Sequence, residues 1–258
     1  MLLENKVAIV SGIGPGLGRQ LALACAQEGA DVVLGARTEA NLVAVAEECQ
    51  ALGVRTAYSP TDITDPEQCA RLVATAMDAF GRVDVLINSA FRPPEFTPFE
   101  TADLAAWKLV TDTNVFGTLQ LTQAALEPLT ASQGAVVIIN SMIQRKPLPL
   151  QGSYAISKGG LLTAAKVLAL ELAPRKIRVN SVAPGWMWGP PVQMYVKMLA
   201  DGNGTSEDEA YQSIAADIPL GEIPPDADVA QVAVFLASDR ARSMTGQMVD
   251  VNGGEFMG

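Results

Sequence analysis

The chain has 258 residues, of which 49% are hydrophobic and 5% aromatic, and its formal net charge is −10 at pH 7. A strongly acidic chain without clustered Lys and Arg argues against nucleic acid as a partner, because phosphate contacts need such clusters. The sequence contains no histidine, which excludes His-dependent triads, His general bases and His-ligated metal sites, so that proton transfer near neutral pH requires another side chain with a shifted pKa.

Cysteine usage and the N-terminal segment bear on the location of the protein. Cys25, Cys49 and Cys69 are widely spaced and form no CxxC motif, so buried free thiols in a reducing cytosol are expected. The first ten residues, MLLENKVAIV, place charges before any long apolar run and lack the layout of a signal peptide. No segment reaches the length of a membrane span. These features predict a cytoplasmic protein with no membrane partner.

Short apolar runs alternate with longer amphipathic segments along the chain. The predicted strands are KVAIVSG, DVVLG, VRTAYSP, VDVLINSA, GAVVIINS, IRVNSVAPG and GQMVDVNGG. The predicted helices lie at about 17–29, 38–52, 66–80, 101–132, 153–174 and 226–238. This order predicts an α/β fold, a single-domain Rossmann-like doubly wound sheet over residues 1–258, with about seven mostly parallel strands and helices on both faces.

One segment interrupts this alternation. Residues 184–225 form a long insert rich in Pro, Gly, Met and Trp, in which Ser206 and Glu209 have the spacing of a capping box and predict a short helix near 207–217. Long excursions at the carboxyl ends of parallel strands commonly shape ligand sites. We therefore expect this insert to act as a substrate loop.

A glycine-rich loop, SGIGPGLG, follows the first predicted strand and precedes a helix. Glycines there allow a tight turn and let phosphate oxygens approach the backbone. The helix that follows offers free N–H groups and the positive end of its dipole to a pyrophosphate. The spacing of Gly12, Gly16 and Gly18 therefore predicts a dinucleotide site, with a tight β–α turn that binds nothing as the alternative.

Tyr154 and Lys158, in GSYAISKGGL, are four residues apart and share one face of a predicted helix. A free tyrosine has a pKa of about 10, too high for a base at neutral pH. A neighbouring ammonium and a cationic group on a bound dinucleotide would both favour the phenolate and lower that pKa. In a chain without histidine this pair is the candidate acid and base, although Tyr154 taken alone is more simply explained as a surface residue.

Six motifs occur together, and their order and spacing resemble those of the short-chain dehydrogenase/reductase family from end to end. Ser141 lies 13 positions before Tyr154, as the family pattern requires. The motifs are SGIGPGLG, VLINSA at 85–90, DTNVFG at 112–117, NSM at 140–142, YAISK at 154–158 and NSVAPGWMWGP at 180–190.

The resemblance implies an NAD(P)-dependent alcohol dehydrogenase or ketoreductase. Tyr154 would exchange the proton of the substrate, Ser141 would hydrogen-bond the substrate oxygen, and Lys158 would hold the nicotinamide ribose. Asn114 would anchor a water that links Lys158 to solvent. The implied cofactor-binding residues are Gly12, Gly14, Gly16, Leu17, Gly18, Arg37, Asp62, Ile63, Asn88, Ser89, Ala90, Tyr154, Lys158, Pro184, Gly185 and Met187.

The end of the second predicted strand bears on the choice between NADP and NAD. An acidic residue there would favour NAD, whereas an arginine suits a 2′-phosphate. Arg37 occupies this place and no carboxylate does, since Asp31 lies at the start of the strand. NADP(H) is therefore favoured and NAD(H) is the alternative, because Pro15 stands where NADP-dependent relatives often carry a second basic residue.

Four positions depart from the family pattern. Ser89 and Phe91 replace the second Asn and the Gly of NNAG, Gly189 stands where many relatives have a Thr that bonds the carboxamide, and Asn252 replaces an Asp. These changes leave Ser141, Tyr154 and Lys158 in place. They change the contacts expected for the nicotinamide and the expected shape of the pocket.

The substrate pocket is expected to be broad and apolar. A lipophilic secondary alcohol or ketone of steroid, terpene or acyl type is the favoured substrate. The candidate contacts are Phe91, Met142, Trp186, Trp188 and Met194. The resemblance also implies a homotetramer or homodimer, formed through the helices at 101–132 and 153–174 and the C-terminal strand.

Other functions are compatible with the same motifs. A 3-oxoacyl thioester reductase is less favoured, because the acyl carrier protein is acidic and so is this chain. A non-catalytic cofactor-binding sensor would not need an intact Ser141, Tyr154 and Lys158. Enoyl reduction, epimerisation or dehydration would keep the fold, but the serine upstream of the tyrosine favours carbonyl chemistry.

Overall fold

The computed structural model describes all 258 residues. Seven strands form one sheet in the order β3-β2-β1-β4-β5-β6-β7, and every neighbouring pair is parallel. The strands are β1 (Val7–Ser11), β2 (Asp31–Ala36), β3 (Thr56–Pro60), β4 (Val85–Asn88), β5 (Ala135–Ile139), β6 (Arg178–Pro184) and β7 (Met248–Val251). The predicted doubly wound α/β fold is confirmed.

Ten α-helices connect or flank these strands. They are α1 (Leu17–Gln27), α2 (Glu39–Ala51), α3 (Pro66–Phe80), α4 (Leu104–Thr111), α5 (Thr118–Ala124), α6 (Leu126–Ser132), α7 (Gly152–Leu172), α8 (Pro190–Asn203), α9 (Glu207–Ala215) and α10 (Asp226–Ala237). No helix is both long enough and apolar enough to cross a membrane.

The five inner strands contribute side chains to two cores, one on each face of the sheet. Ala8 and Val10 of β1 pack with α1, α2 and α10, whereas Val7 and Ile9 pack with α3, α5, α6 and α7. This division follows from the period of two in a strand, which sends alternate side chains to opposite faces. Full burial of one such aliphatic side chain contributes about 1.5–3 kcal/mol, which explains why the strands are continuous aliphatic runs. All three cysteines are buried free thiols, as expected.

The region predicted as one helix over 101–132 is divided in the structure. After α4, residues Asp112–Gly117 form a π-helix, and α5 and α6 follow with a break at Ala125. Single π-turns inside α-helices rotate the side chains that follow them and are frequent at functional sites. The π-helix places Asn114 with its side chain buried, towards α7.

The insert after β6 folds around a small apolar cluster of its own. Helices α8 and α9 pack together with Val196, Ala200, Ile214 and Ile218 at the centre. Ser206 and Glu209 form the predicted capping box at the start of α9. The two ends of the insert are joined where the Trp188 N–H donates to the Pro224 carbonyl at 2.8 Å.

Candidate active site

The residues predicted to carry the chemistry lie at the carboxyl ends of the strands. In a doubly wound sheet the ligand site is at the point where the order of the strands reverses, here between β1 and β4. Ser11 pairs with Asn88 in the register of these two strands. The glycine loop therefore begins directly beside the segment that follows β4.

Gly12 and Gly18 are required by the tight packing of the loop. Gly12 has a φ of +92°, and a Cβ atom on it would collide with the backbone of Ala90. A Cβ atom on Gly18 would collide with the carbonyl of Gly12. These glycines let the loop lie against the segment after β4, which brings the two predicted halves of the dinucleotide site together.

Gly14 and Gly16 are less tightly packed than Gly12 and Gly18. A Cβ atom on Gly14 would meet nothing within 4 Å, so its backbone faces open space. Gly16 is the N-cap of α1 and supplies no side-chain hydrogen bond to the first turn. Helix α1 has 11 residues, and no side chain caps the N–H groups at its start. These free N–H groups, beside the exposed backbone of Gly14, can bind a pyrophosphate.

A cleft of about 840 Å³ extends from the glycine loop along the ends of β2 and β3. It contains Arg37, Asp62, Ile63, Ser89 and Ala90, as predicted. The carboxylate of Asp62 accepts bonds from the backbone and hydroxyl of Thr64, at 2.9 and 2.7 Å. The cleft also contains residues that the sequence analysis did not single out, among them Thr38, Asn41 and Arg92.

Thr38 is informative because it is the N-cap of α2 and its hydroxyl makes no capping bond. Arg37 precedes it and Asn41 follows within the first turn of the helix. A guanidinium, a hydroxyl and an amide thus line the cleft at the end of β2. Glu39 of the same helix turn does not line it. The signal that could have found Thr38 and Asn41 is the helix start itself, which was predicted at about 38.

Ser141, Tyr154 and Lys158 come together as predicted. The Ser141 hydroxyl is close enough to the Tyr154 hydroxyl to lower its pKa, and the Lys158 Nζ lies 5.5 Å from the centroid of the Tyr154 ring. Ser141 follows β5, whereas Tyr154 and Lys158 lie one turn apart on α7. The Ser141 Oγ also accepts from the Ile143 N–H at 3.2 Å, which fixes the serine rotamer.

The electrostatics of this group differ from the sequence-based expectation of a lowered tyrosine pKa. Burial raises the pKa of Tyr154 to about 12, and the Ser141 hydrogen bond opposes the rise only in part. Burial also lowers the pKa of Lys158 to about 7. The Lys158 Nζ donates to the Ile139 carbonyl at 2.8 Å. In the protein alone, desolvation therefore outweighs the Ser141 contact, and the lowering expected from a bound cationic cofactor stays a prediction.

The side chain of Asn114 is fully engaged by protein groups. Its Oδ1 accepts from the Arg92 N–H at 2.7 Å, and its Nδ2 donates to the Arg92 carbonyl at 3.1 Å and to the Ser157 Oγ at 3.0 Å. Ser157 in turn donates to the Tyr154 carbonyl at 2.8 Å. Asn114 therefore connects the loop after β4 to the helix that carries the tyrosine and lysine.

The remaining cofactor residues occupy the strand ends. Asn88 closes β4 and its Nδ2 donates to the Thr122 hydroxyl at 3.1 Å. Pro184 closes β6, and the Gly185 N–H donates to the Val251 carbonyl at 3.3 Å. Leu17 and Met187 are partly buried against the core on the α1 side of the sheet.

The candidate substrate contacts fall into two groups. Phe91 lies beside Tyr154, with ring centroids 6.2 Å apart, and is about half exposed; Met194 is also exposed. The other three are packed: Met142 is buried, Trp186 stacks on Tyr195, and Trp188 meets Tyr211 edge to face. The two tryptophans pack against the apolar cluster of the insert.

Ion pairs join the loop after Ser141 to the last residues of the chain, a feature that the sequence did not reveal. Arg145 pairs with Asp250 of β7, and the Lys146 Nζ lies 3.1 Å from the Glu255 Oε1. Asn252 contributes through its amide, which donates to the Phe256 carbonyl at 3.0 Å and accepts from the Gly254 N–H at 2.9 Å. The Asn in place of the family's usual Asp thus holds the C-terminal turn.

The fold and the site together define a dinucleotide-binding oxidoreductase class, and the comparisons give the family. A family model described as "Enoyl-(Acyl carrier protein) reductase" matches residues 12–255. The 3-oxoacyl-[acyl-carrier-protein] reductase FabG of Thermotoga maritima is 32% identical over 98% of this chain and 99% of its own length. An uncharacterized oxidoreductase of Methylorubrum extorquens is 36% identical over 98% of each chain. The chain belongs to the short-chain dehydrogenase/reductase family.

Solved structures agree over nearly the whole chain. L-Sorbose reductase from Gluconobacter frateurii, complexed with NADPH and L-sorbose, is 28% identical with a TM-score of 0.93 and covers 99% of this chain and 98% of its own. NAD⁺-bound xylitol dehydrogenase is 26% identical with a TM-score of 0.90 and covers 98% and 99%. These neighbours bind different nicotinamide cofactors, one NADPH and the other NAD⁺.

Proposed function

We propose that this protein is a nicotinamide-dependent oxidoreductase that interconverts a secondary alcohol and a ketone. The observation that carries the proposal is the grouping of Ser141, Tyr154 and Lys158 on the carboxyl edge of the sheet, beside an open glycine loop. A sensor that only bound the cofactor would have no use for a hydroxyl, a phenol and an amine around one point.

The residues of the chain fit a dinucleotide in an extended position across the strand ends. Gly14, Gly16 and the first turn of α1 would hold the pyrophosphate. The cleft that contains Asp62 and Ile63 would hold the adenosine. The segment from Pro184 to Met187 would support the nicotinamide. When bound, the cofactor supplies the hydride acceptor or donor and, in its oxidised form, a positive charge close to Tyr154.

Tyr154 acts as the acid or base at the substrate oxygen. In alcohol oxidation its phenolate takes the proton from the hydroxyl, and in ketone reduction its hydroxyl returns that proton. Because burial holds the pKa of Tyr154 at about 12 in the protein alone, nearby positive charge is needed to form the phenolate. Lys158, with a pKa of about 7, can both accept and release a proton near neutral pH and can relay the proton onwards.

Ser141 and Asn114 have supporting roles. Ser141 hydrogen-bonds the substrate oxygen and positions it next to the tyrosine hydroxyl. Asn114 keeps the loop after β4 and helix α7 in one arrangement through Arg92 and Ser157. The backbone carbonyl of Asn114 accepts from the Thr118 hydroxyl at 2.9 Å, and Asn114 is the residue proposed to anchor the relay water.

We favour NADP(H) over NAD(H). Arg37, with the Thr38 hydroxyl and the Asn41 amide beside it, offers a 2′-phosphate a guanidinium and neutral donors. The bound NADPH of the sorbose reductase neighbour supports the choice, whereas the NAD⁺ of the xylitol dehydrogenase neighbour keeps NAD(H) as the alternative.

We propose an apolar alcohol or ketone, of steroid, terpene or acyl type, as the substrate, with residues 184–225 as the loop that covers it. Phe91 and Met194 are the exposed apolar side chains available for contact. A 3-oxoacyl thioester is the second candidate, and the specific support for it is the similarity to FabG over nearly the whole chain. Ser141 upstream of Tyr154 favours carbonyl reduction over the enoyl reduction in the description of the family model.

We also propose a single catalytic domain that assembles as a homotetramer or homodimer in the cytoplasm. Apolar side chains are exposed on α4, on the π-helix and on α7, where a second copy would cover them. They are Leu104, Leu109, Phe116, Ile156, Val167 and Leu170. The buried free thiols support a reducing compartment.

The test is the Tyr154→Phe variant, with Tyr58→Phe as the matched control because Tyr58 is partly exposed on β3. Absorbance of the reduced nicotinamide is followed with a panel of apolar ketones, sugars and 3-oxoacyl thioesters. We expect Tyr154→Phe to lose nearly all turnover while it still binds the cofactor, and Tyr58→Phe to be unaffected. Full activity of Tyr154→Phe, or tight cofactor binding with no turnover of any substrate by the unmodified protein, would overturn the proposal.

A further inference from the structure

Asp226 is a buried carboxylate that lies between two segments of the proposed cofactor site. It opens helix α10 and is 8% exposed. Trp188 and Pro225 form an isolated parallel bridge, and this bridge places the start of α10 beside the loop after β6. As a result Asp226 adjoins both the glycine loop and the segment proposed to support the nicotinamide.

The contacts of one carboxylate oxygen define this position. A Cβ atom on Gly189 would lie 2.7 Å from the Asp226 Oδ2, and a Cβ atom on Gly16 would lie 3.7 Å from the same oxygen. A side chain at 189 would therefore press against this oxygen, and the Asp226 carboxylate would have to turn aside to admit it. The glycine at 189 leaves the space that the carboxylate at 226 occupies.

Asp226 has no ion-pair partner to account for its burial. It takes part in none of the seven salt bridges of the chain. The charge of Arg19 acts on Asp226 from a distance, but Arg19 is itself paired with Glu48. The N–H groups of Asp226 and Ala227 bond the carboxylate at the start of the helix. A carboxylate can accept about four hydrogen bonds, so it retains capacity for a further donor.

The chemistry of a dinucleotide limits which of its groups can donate a further hydrogen bond to Asp226. The pyrophosphate offers acceptors and negative charge, which a carboxylate repels. Lys158 and Tyr154 are placed to contact the ribose of the nicotinamide half. The carboxamide is the group on the nicotinamide ring that carries N–H donors, and an amide that donates to a carboxylate makes a charge-assisted hydrogen bond.

We propose that the Asp226 carboxylate accepts a hydrogen bond from the carboxamide NH₂ of the nicotinamide cofactor and that Gly189 provides the space for it. This inference rests on the proposed function. It makes an acid on α10 the partner of the carboxamide, because residue 189 is a glycine and has no side chain that could bind that group.

The experiment is a binding cycle that varies the protein and the cofactor together. Calorimetry measures the binding of NADP⁺, NAD⁺ and their 3-acetylpyridine analogues, in which a methyl ketone replaces the amide and no N–H donor is present. Asp226→Ala is compared with Asp228→Ala, which removes an exposed acid from the first turn of the same helix. A binding assay is used because a change in turnover alone would not distinguish a loss of cofactor affinity from a slower chemical step.

We expect Asp226→Ala to weaken binding of the amide cofactor by about tenfold or more and to leave the 3-acetylpyridine analogue unchanged. Asp228→Ala should bind both like the unmodified protein. Gly189→Ala, which places a methyl group against the Oδ2, should repeat the selective loss and serves if Asp226→Ala does not fold. An equal loss for both cofactors, or no loss for either, would overturn the inference and leave the proposed function intact. Failure of the unmodified protein to bind any nicotinamide cofactor would overturn both.

Discussion

Replacement of Lys158 by methionine should remove activity and at the same time stabilise the fold near neutral pH. The ammonium is buried, with 3% of the residue exposed, and burial lowers its pKa from 10.5 to about 7. Methionine has a similar length without the charge. The cost of burying Lys158 can be measured because it depends on pH in a way that methionine does not.

The sign and size follow from proton linkage. Between about pH 7 and 10.5 the lysine is neutral in the folded state and protonated in the unfolded state, so the unfolded state binds more protons and stability rises with pH. At 1.36 kcal/mol per pKa unit, the rise between about pH 7 and about pH 9 is about 3 kcal/mol. Below about pH 7 both states carry the charge, and the full penalty of about 5 kcal/mol is present.

The assay is urea unfolding of the unmodified protein and of Lys158→Met between about pH 7 and about pH 9. Lys158→Met also loses the hydrogen bond to the Ile139 carbonyl, which costs about 1–3 kcal/mol at every pH. The variant should therefore be the more stable protein near pH 7 and should lose its advantage as pH rises. Lys166→Met on the exposed side of α7 is the matched control. If the profiles of Lys158→Met and the unmodified protein are parallel, the reasoning on desolvation is wrong.

Three further outcomes are expected. Arg37→Ala should raise the KM for NADP⁺ by about tenfold, because a charge-assisted contact to the 2′-phosphate is lost, and should leave the KM for NAD⁺ unchanged; equal changes for both cofactors would contradict the assignment. Gly12→Ala should lower the urea midpoint and weaken cofactor binding, since its methyl group would collide with the Ala90 backbone at a φ of +92°; unchanged values would show that the loop relaxes without cost. Phe91→Ala admits water to Tyr154 and reduces the desolvation that raises its pKa, so the rising limb of the pH–rate profile for alcohol oxidation should move to lower pH; a profile that stays in place would show that Phe91 does not shield the hydroxyl.

The strands and most helices were predictable because one physical pattern determines each of them. A strand covered on both faces must be apolar along its whole length, and β5, AVVII, has this character. Helix α3 begins at Pro66 after the Asp65 cap, and it ends at Gly81 in the left-handed conformation. Local signals of this kind are sufficient because the residues that decide the outcome are close in sequence.

The division of the segment 101–132 could not be predicted in the same way. The π-helix at Asp112–Gly117 keeps helical backbone angles at its flanks and differs mainly in the hydrogen-bond register. Its side-chain pattern remains compatible with one long helix. Within it, Asn114 makes three hydrogen bonds to Arg92 and Ser157, residues 22 and 43 positions away, which no local pattern predicts.

The candidate site shows the same limit. The positions of Ser141, Tyr154 and Lys158 follow from the motif order, and the structure brings them together. The lowered pKa of Lys158 could not be predicted, because it arises from burial by distant residues. The approach of Asp226 to Gly16 is of the same kind, since it joins residues 210 positions apart whose side chains carry no pattern that connects them.

The strand order has a consequence for how this protein could change. The residues proposed to select the phosphate on the adenosine ribose lie beyond β1, β2 and β3, whereas those proposed to select the substrate lie beyond β4, β5 and β6 or in the insert. Substitutions at distant sites without shared contacts act additively on free energies. Phe91 lines the same cleft as Arg37, so changes at these two residues can interact, whereas Met194 lies outside that cleft. A variant altered at Arg37 and Met194 should therefore combine the two single effects, and cofactor choice and substrate choice are separately adjustable there.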